Sequence, residues 1–107
     1  MNKKEMLEKI KETIRTQNAD PNYDIDYNQI LNNENLVATL IDQYGGEGRG
    51  EELYVIMSLI DKKTSETILM FKVDGSYESW EGSDWSYARV YEVKPKQVMV
   101  TKYVKVE

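Results

Sequence analysis

The residues of this chain that could do chemistry are carboxylates, lysines, tyrosines and tryptophans, because its 107 residues include no His and no Cys. The commonest general base and the most reactive nucleophile are therefore missing. No Gly-x-Ser-x-Gly or Ser-x-x-Lys motif marks an activated serine. Glu81 and Asp84 could serve glycoside hydrolysis, but a chain of this length offers little room for a sugar cleft. We expect a binding protein rather than an enzyme, with no catalytic residues, no metal and no cofactor.

The densest group of these residues is the segment 74–92, DGSYESWEGSDWSYARVYE, which holds both tryptophans. Trp and Tyr offer large rigid contact areas and are enriched at the centres of protein interfaces. The surrounding carboxylates suit a partner groove rich in Arg or Lys, through ion pairs and cation–π contacts. The alternative is that one or both tryptophans pack into the core. The candidate partner-binding residues of this segment are Tyr77, Glu78, Trp80, Glu81, Asp84 and Trp85.

A second candidate is the glycine-rich stretch 45–50, GGEGRG, with four glycines in six residues. Glycine allows the backbone to approach a ligand closely, so a phosphate cradle has to be considered. No Gly-Lys-Ser/Thr follows, and the stretch does not open a helix as a P-loop does. The remaining interpretations are a flexible hairpin loop or a binding loop in which Glu47 and Arg49 contact the partner.

Alternating Asp and Asn residues at positions 20–26 are reminiscent of a calcium-binding loop. The match fails at its two most demanding positions, where Ile25 replaces the turn glycine and Leu31 replaces the bidentate glutamate. The pattern therefore does not predict a metal site.

The charge distribution is uneven, with a net charge of −5 for the whole chain. Residues 16–92 carry 15 acidic and five basic side chains, or −10, whereas residues 1–15 and 93–107 are mildly basic. An acidic body repels nucleic-acid phosphates and attracts basic surfaces. We expect a protein partner with a basic surface and no direct binding to duplex nucleic acid. The alternative is that the acidity only keeps the protein soluble.

The sequence also predicts a cytoplasmic protein without a membrane partner. No stretch reaches the roughly 18 to 20 apolar residues that a membrane span needs. The start, MNKKEMLEKI, is charged where a signal peptide is apolar, and the lack of Cys fits a reducing compartment.

Apolar periodicity predicts the elements that must position these side chains. Residues 3–16 place Met6, Leu7, Ile10 and Ile14 on one stripe of an amphipathic helix. Asn2 can cap this helix. The Asn- and Asp-rich residues 17–35 predict a connector with one short helical turn at 27–31.

Four segments predict strands. Residues 36–44 fit either a helical stripe ended by Gly45 or a buried strand, and we predict a strand. Residues 53–60 and 67–73 are apolar at nearly every position and predict a central hairpin. Residues 97–106 alternate valines with other residues, as an edge strand does.

Together these elements predict an α+β fold in which an N-terminal helix packs on a four- to five-stranded antiparallel sheet, either open or curled into a small barrel. The length suits a single domain, 1–107. Its helix and connector are predicted at 1–35 and its sheet at 36–107.

Three motifs give the chain a resemblance to a family of small proteins encoded by bacteriophages and prophages. They are the Gly-Gly-Glu-Gly-x-Gly loop at 45–50, Asp-Gly-x-Tyr-x-Ser with an aromatic residue at 74–80, and Glu-Val-x-Pro-Lys-x-Val-x-Val-Thr at 92–101. The resemblance covers roughly the last three-fifths of the chain, and the helix and connector lie outside it.

The resemblance implies a virus-encoded accessory protein that acts in the host-cell cytoplasm. Small acidic phage proteins often occupy a nucleic-acid-binding or regulatory surface of a host protein, and inhibitors of CRISPR effectors are similar. The resulting hypothesis is an anti-CRISPR-like inhibitor that contacts a host defence nuclease, such as a Cas effector, through segments 74–92 and 45–50. The alternative is a structural or regulatory adaptor that self-associates through its edge strand or binds another viral protein.

Overall fold

The structure, a computed structural model, describes residues 1–45, 52–78, 80–96 and 103–106. The helices are α1 (Lys3–Gln17) and α2 (Tyr27–Ile30), and the strands are β1 (Leu36–Tyr44), β2 (Glu52–Asp61), β3 (Thr67–Glu78) and β4 (Gly82–Glu92). No other helix or strand is present in the described part of the chain.

Helix α1 forms where the apolar stripe predicts it and begins with a capping box. The Asn2 side chain accepts a hydrogen bond from the Glu5 backbone N–H at 2.8 Å, and the Glu5 carboxylate accepts one from the Asn2 N–H at 3.4 Å. Two N–H groups that the helix cannot satisfy internally are thereby paired. The helix ends at Asn18, whose φ of 48° lies in the left-handed region. Its buried residues are Met6, Ile10 and Ile14.

The four strands form one antiparallel sheet in the order β1-β2-β3-β4, so every strand pairs with its neighbours in sequence. Helix α1 runs along β4, since Lys3 pairs with Glu92 near the end of that strand and Asn18 bonds to Trp85 near its start. The predicted α+β fold is confirmed. Within the described residues the sheet is open rather than closed into a barrel.

The core lies between the two helices and one face of the sheet, which we call the inner face. Alternate residues of β2 and β3 supply nearly half of its buried residues, with Met57, Leu59, Leu69, Phe71 and Val73 at most 1% exposed. The connector adds Tyr27, whose ring centroid lies 5.8 Å from that of Phe71 and whose hydroxyl donates to the Pro21 carbonyl. The helices and connector therefore cover the inner face, and the opposite, outer face carries no covering element among the described residues.

Two expectations about the sheet need correction. The fourth strand is β4 (Gly82–Glu92), which the sequence did not predict, because two inward-facing residues, Trp85 and Ala88, stand three apart and break the alternation of a strand. Of the predicted strand 97–106, only 103–106 lies in the described residues, and there it forms no strand.

Burial raises the pKa of the Tyr27 hydroxyl above its ordinary value, and the nearby Asp20 carboxylate adds to the shift. The unfolded chain therefore ionises this tyrosine at lower pH than the folded chain does, so the free energy of unfolding falls as pH rises above about 10. Substituting Tyr27→Phe should remove this contribution to the alkaline decline. It should also cost about 1 kcal/mol at neutral pH through the lost hydrogen bond.

Urea unfolding of both proteins from pH 7 to 11 measures this difference. The control is Tyr23→Phe, at a side chain that is 79% exposed, which should keep the wild-type pH profile. An alkaline decline unchanged in Tyr27→Phe would show that this hydroxyl does not hold its proton in the folded state.

Candidate partner-binding surface at the acidic end of the sheet

The strand order brings the tip of the β3–β4 hairpin and the attachment points of the glycine-rich stretch to one end of the sheet. Strand β1 ends and β2 begins there, and the antiparallel pairing places the end of β3 and the start of β4 beside them. We call this the acidic end because its described residues include Trp80 and the carboxylates Glu52, Glu78, Glu81 and Asp84. The opposite end holds the β2–β3 turn, where Lys62 and Lys63 stand between Asp61 and Glu66, and the residues after β4 with Lys94 and Lys96. Carboxylates therefore predominate at one end of the molecule, whereas the other end carries both signs of charge.

The β3–β4 hairpin carries Trp80 at its tip. Glu78 pairs with Gly82, and the Glu81 N–H donates to the Glu78 carbonyl at 3.2 Å, which closes the turn. Gly82 has a φ of 78°, a conformation that costs other residues about 1–2 kcal/mol. The Trp80 side chain is 84% exposed, and its indole Nε1–H donates to the Glu78 carboxylate at 3.1 Å. The polar group of the indole is thus paired while its apolar surface stays available.

Trp85 belongs to the core, which corrects its prediction as a partner-binding residue. Its side chain is only 3% exposed. A Cβ added to Gly75 would lie 2.6 Å from Trp85 Cε3, so the ring occupies the space that a side chain on β3 would need. The two tryptophans therefore have different roles, since Trp80 is a surface residue and Trp85 supports the hairpin from below.

A large bulge turns Trp85 inward. Arg89 pairs with Asp74 and Asp84 pairs with Ser76, so β4 has four residues, 85–88, opposite the single residue Gly75 of β3. The bulged backbone is bonded to α1, because the Asn18 side chain accepts from the Trp85 N–H at 2.6 Å. The Arg15 Nε–H donates to the Ala88 carbonyl at 2.7 Å. Helix α1 therefore holds the base of the hairpin.

Some of the other predicted residues of the hairpin are exposed at the surface, and others pack against the rest of the fold. Glu78 and Glu81 are exposed, whereas Tyr77 is half-buried and packs against the core. The Ser86 hydroxyl and backbone N–H both donate to the Asp84 carboxylate and hold its pKa below its ordinary value. The hairpin thus presents Trp80 beside the exposed carboxylates of Glu78 and Glu81.

The glycine-rich stretch can be placed only at its attachment points. Glu47 and Arg49 lie outside the described residues. Gly45 has a φ of 86°, and a Cβ there would collide with the backbone carbonyl of Glu52. The backbone conformation and the close approach of Glu52 therefore require a glycine directly after β1.

The carboxylates of the calcium-like pattern pair with backbone N–H groups. Asp20 accepts from Asn22, Asp24 accepts from Asp20, and Asp26 caps α2 by accepting from Gln29. These bonds shape the connector as short turns. Among the described residues there is no group of three or more side chains placed to hold a metal ion.

Sequence reasoning did not find a row of polar and aromatic side chains that crosses the outer face. Tyr44 stacks on Tyr54 with ring centroids 5.7 Å apart, and Lys72 Nζ lies 4.3 Å from the Tyr54 centroid. Lys72 also lies 3.7 Å from the Asp74 carboxylate, which accepts a hydrogen bond from the Tyr91 hydroxyl at 2.9 Å. Every strand contributes, so only the strand register, which the sequence does not show, could have revealed this row.

A cleft of about 470 Å³ opens at the acidic end, between the connector and the sheet. Its walls come from the connector and from the ends of β1, β2 and β4, and they include Asp20, Tyr23, Gln43, Tyr44, Ser83 and Trp85. The acidic end therefore combines a protruding indole with a recess beside it.

Comparison of the chain with family models, curated proteins and solved structures gives no match. Within the described residues, none of the helices has the length and apolar character needed to cross a membrane.

The two tryptophans should respond differently to a quencher. Trp80 is 84% exposed and Trp85 is 3% exposed, so acrylamide should quench only part of the wild-type fluorescence strongly. Trp80→Phe should leave a blue-shifted and poorly quenched emission. Equal quenching constants for wild type and Trp80→Phe would contradict the burial of Trp85.

Substituting Gly75→Ala should destabilise the fold by about 1–3 kcal/mol, because the new methyl group would overlap the Trp85 ring. Ser76→Ala, at the exposed next position of β3, is the matched control and should change stability by less than about 0.5 kcal/mol. Chemical denaturation followed by the Trp85 emission measures both. A Gly75→Ala variant as stable as the control would mean that Trp85 does not depend on this close approach.

Proposed function

We propose that this chain is a non-catalytic binding protein that docks its acidic end on a basic surface of a partner protein. We further propose that this partner is a host defence nuclease, such as a Cas effector, and that docking blocks the entry of nucleic acid. The observation that carries the proposal is the exposed Trp80 at the tip of a hairpin whose neighbouring side chains are carboxylates.

An exposed tryptophan at a hairpin tip suits an interface because its burial contributes a large part of the binding free energy. At about 25 cal/mol per Å², burying the 150–250 Å² of such a side chain favours binding by roughly 4 kcal/mol or more before the other costs of association. The hydrogen bond from the indole to Glu78 already restrains the ring. Less side-chain entropy is then lost when the partner binds.

The carboxylates around Trp80 supply orientation and selectivity. Glu78, Glu81 and Asp84 lie at one end of the sheet and the lysines of the β2–β3 turn lie at the other. The turn at the other end also carries Asp61 and Glu66, so its charges balance. A basic groove would therefore attract only the first end, which steers the protein into one orientation. Nucleic-acid channels have this basic character, and Arg or Lys side chains in them could also stack on the indole.

The nuclease as partner is supported by the resemblance of the 45–50, 74–80 and 92–101 motifs to bacteriophage and prophage proteins. A viral protein gains from binding a defence enzyme stoichiometrically, because occupation of a channel requires no catalysis. The chain has neither His nor Cys, which fits such a mode of action.

The test is inhibition of DNA binding and cleavage by a panel of purified RNA-guided nucleases. Wild-type protein should inhibit at least one of them in a salt-sensitive manner. Trp80→Ala should weaken binding by about thirtyfold, as expected for a central interface tryptophan worth about 2 kcal/mol. The double variant Glu78→Lys/Glu81→Lys should weaken it further and reduce its salt dependence.

Matched controls separate the hairpin tip from general effects. Tyr87→Ala removes another aromatic side chain, 87% exposed, away from the tip. Glu12→Lys/Glu66→Lys makes the same charge change at exposed positions on α1 and in the β2–β3 turn. Both controls should inhibit as the wild type does. Full inhibition by the tip variants would refute the docking surface, and no inhibition of any nuclease in the panel would refute the assigned partner.

A further inference from the structure

The two edge strands of the sheet, β1 and β4, differ in how far the rest of the chain covers them. Exposed strand edges invite pairing with other chains, and proteins commonly cover or interrupt them. At the β4 edge, the bulge 85–88 interrupts the strand, and side chains of α1 bond its backbone at Trp85 and Ala88. The β1 edge has no comparable protection over its central residues in the part of the chain that the structure describes.

One hydrogen bond shows which backbone N–H and C=O groups of β1 do not bond to β2. The Lys62 N–H donates to the Asn35 carbonyl at 2.8 Å, and these residues stand directly opposite each other in the register that continues into the β1–β2 pair. Bonded and non-bonded pairs alternate in an antiparallel ladder. Val37 and Thr39 therefore bond to β2, while Ala38 and Leu40 turn their N–H and C=O groups away from it.

The side chains of β1 do not discourage pairing either. The strand has nine residues, no proline and one charged residue, Asp42. Val37 is 40% exposed and Ile41 is 50% exposed. One deviation, a bulge between Leu40 and Asp42, limits the regular edge to the first half of the strand.

A groove of about 400 Å³ lies beside this edge on the inner face. It is lined by connector residues 23–28 and by Ala38. The connector supplies Tyr23, Ile25 and Tyr27 as apolar surface and Asp24 and Asp26 as charges. A strand added to β1 would therefore find an apolar, acidic groove for the side chains on its inner face.

Residues 103–106, Tyr-Val-Lys-Val, have the matching properties. Val104 and Val106 are 84% and 90% exposed, and Tyr103 is 93% exposed, so the segment is not packed on its own sheet. Val104 and Val106 would share one face of a strand, with Tyr103 and Lys105 on the other. Residues 93–107 carry four Lys and one Glu, whereas residues 16–61 carry nine acidic residues and one Arg.

We propose that β1 receives residues 103–106 of a second copy of this chain as an added strand. Ala38 and Leu40 supply the backbone hydrogen bonds, and the two valines enter the groove beside Ala38. Lys105 lies on the opposite face of the new strand, the side on which β1 carries Asp42. Exchange in both directions closes a two-fold dimer. This surface is separate from the tip that carries Trp80.

The test is molecular mass by light scattering and sedimentation over a wide concentration range. Wild-type protein should reach twice its monomer mass as concentration rises. Ala38→Pro removes the outward N–H without breaking a bond to β2, and a chain ending at Lys102 lacks the added strand. Each variant should raise the dissociation constant by about tenfold or more, as expected for the loss of edge hydrogen bonds.

Mixing the two variants provides the decisive measurement. Ala38→Pro retains residues 103–106 and the shortened chain retains an intact β1, so the first chain can donate a strand to the second. An equimolar mixture should therefore form a heterodimer at concentrations where each variant alone is monomeric. Tyr87→Ala, at an exposed side chain on the opposite edge strand β4, should dimerise like the wild type, and thermal melting confirms that each variant is folded. A monomeric wild type at every concentration, dimerisation of the shortened chain alone, or a mixture that stays monomeric would each overturn the proposal.

Discussion

The contact between Trp85 and Gly75 determines much of the arrangement at the acidic end. The indole needs the space above a residue without a side chain, and β4 reaches that space only by inserting the bulge 85–88. The bulge frees backbone groups at Trp85 and Ala88, which α1 then pairs through Asn18 and Arg15. Helix position, strand register and hairpin support are therefore consequences of one close approach.

The same contact explains why the tip of the hairpin can carry a large exposed side chain. The strands below it are joined by the core and by α1, so the tip does not depend on its own packing. The turn needs only the Glu81–Glu78 hydrogen bond and the positive φ of Gly82. Trp80 can consequently project into solvent without loss of order at the base of the hairpin.

The sequence predicts those parts of the fold whose signal is periodic and local. Helix α1 follows from its apolar stripe and from Asn2, and the central hairpin follows from two apolar runs. Strand β4 could not be predicted in this way, because the bulge places inward-facing residues three apart. The acidic, aromatic character of the candidate site was visible in the composition of 74–92. Which tryptophan faces solvent was not visible, since that depends on the pairing of β4 with Gly75.

The row from Tyr44 to Tyr91 explains how the outer face can remain without a covering layer. Its rings shield the strands, while the Lys72 and Asp74 charges satisfy one another and the Tyr91 hydroxyl. Because this row crosses all four strands, it also connects the β1–β2 hairpin to the β3–β4 hairpin through side chains. The strands of the outer face are thus partly covered by side chains of the sheet itself.

Separation of the tip from its support has an evolutionary consequence. Substitutions at positions 78, 80 and 81 change the exposed side chains of the tip but leave the core contacts intact, whereas positions 75 and 85 must change together or not at all. Under the proposed function, a lineage under pressure from a changing partner can therefore diversify the tip rapidly on a constant base. Selection could then retarget the hairpin without redesigning the fold.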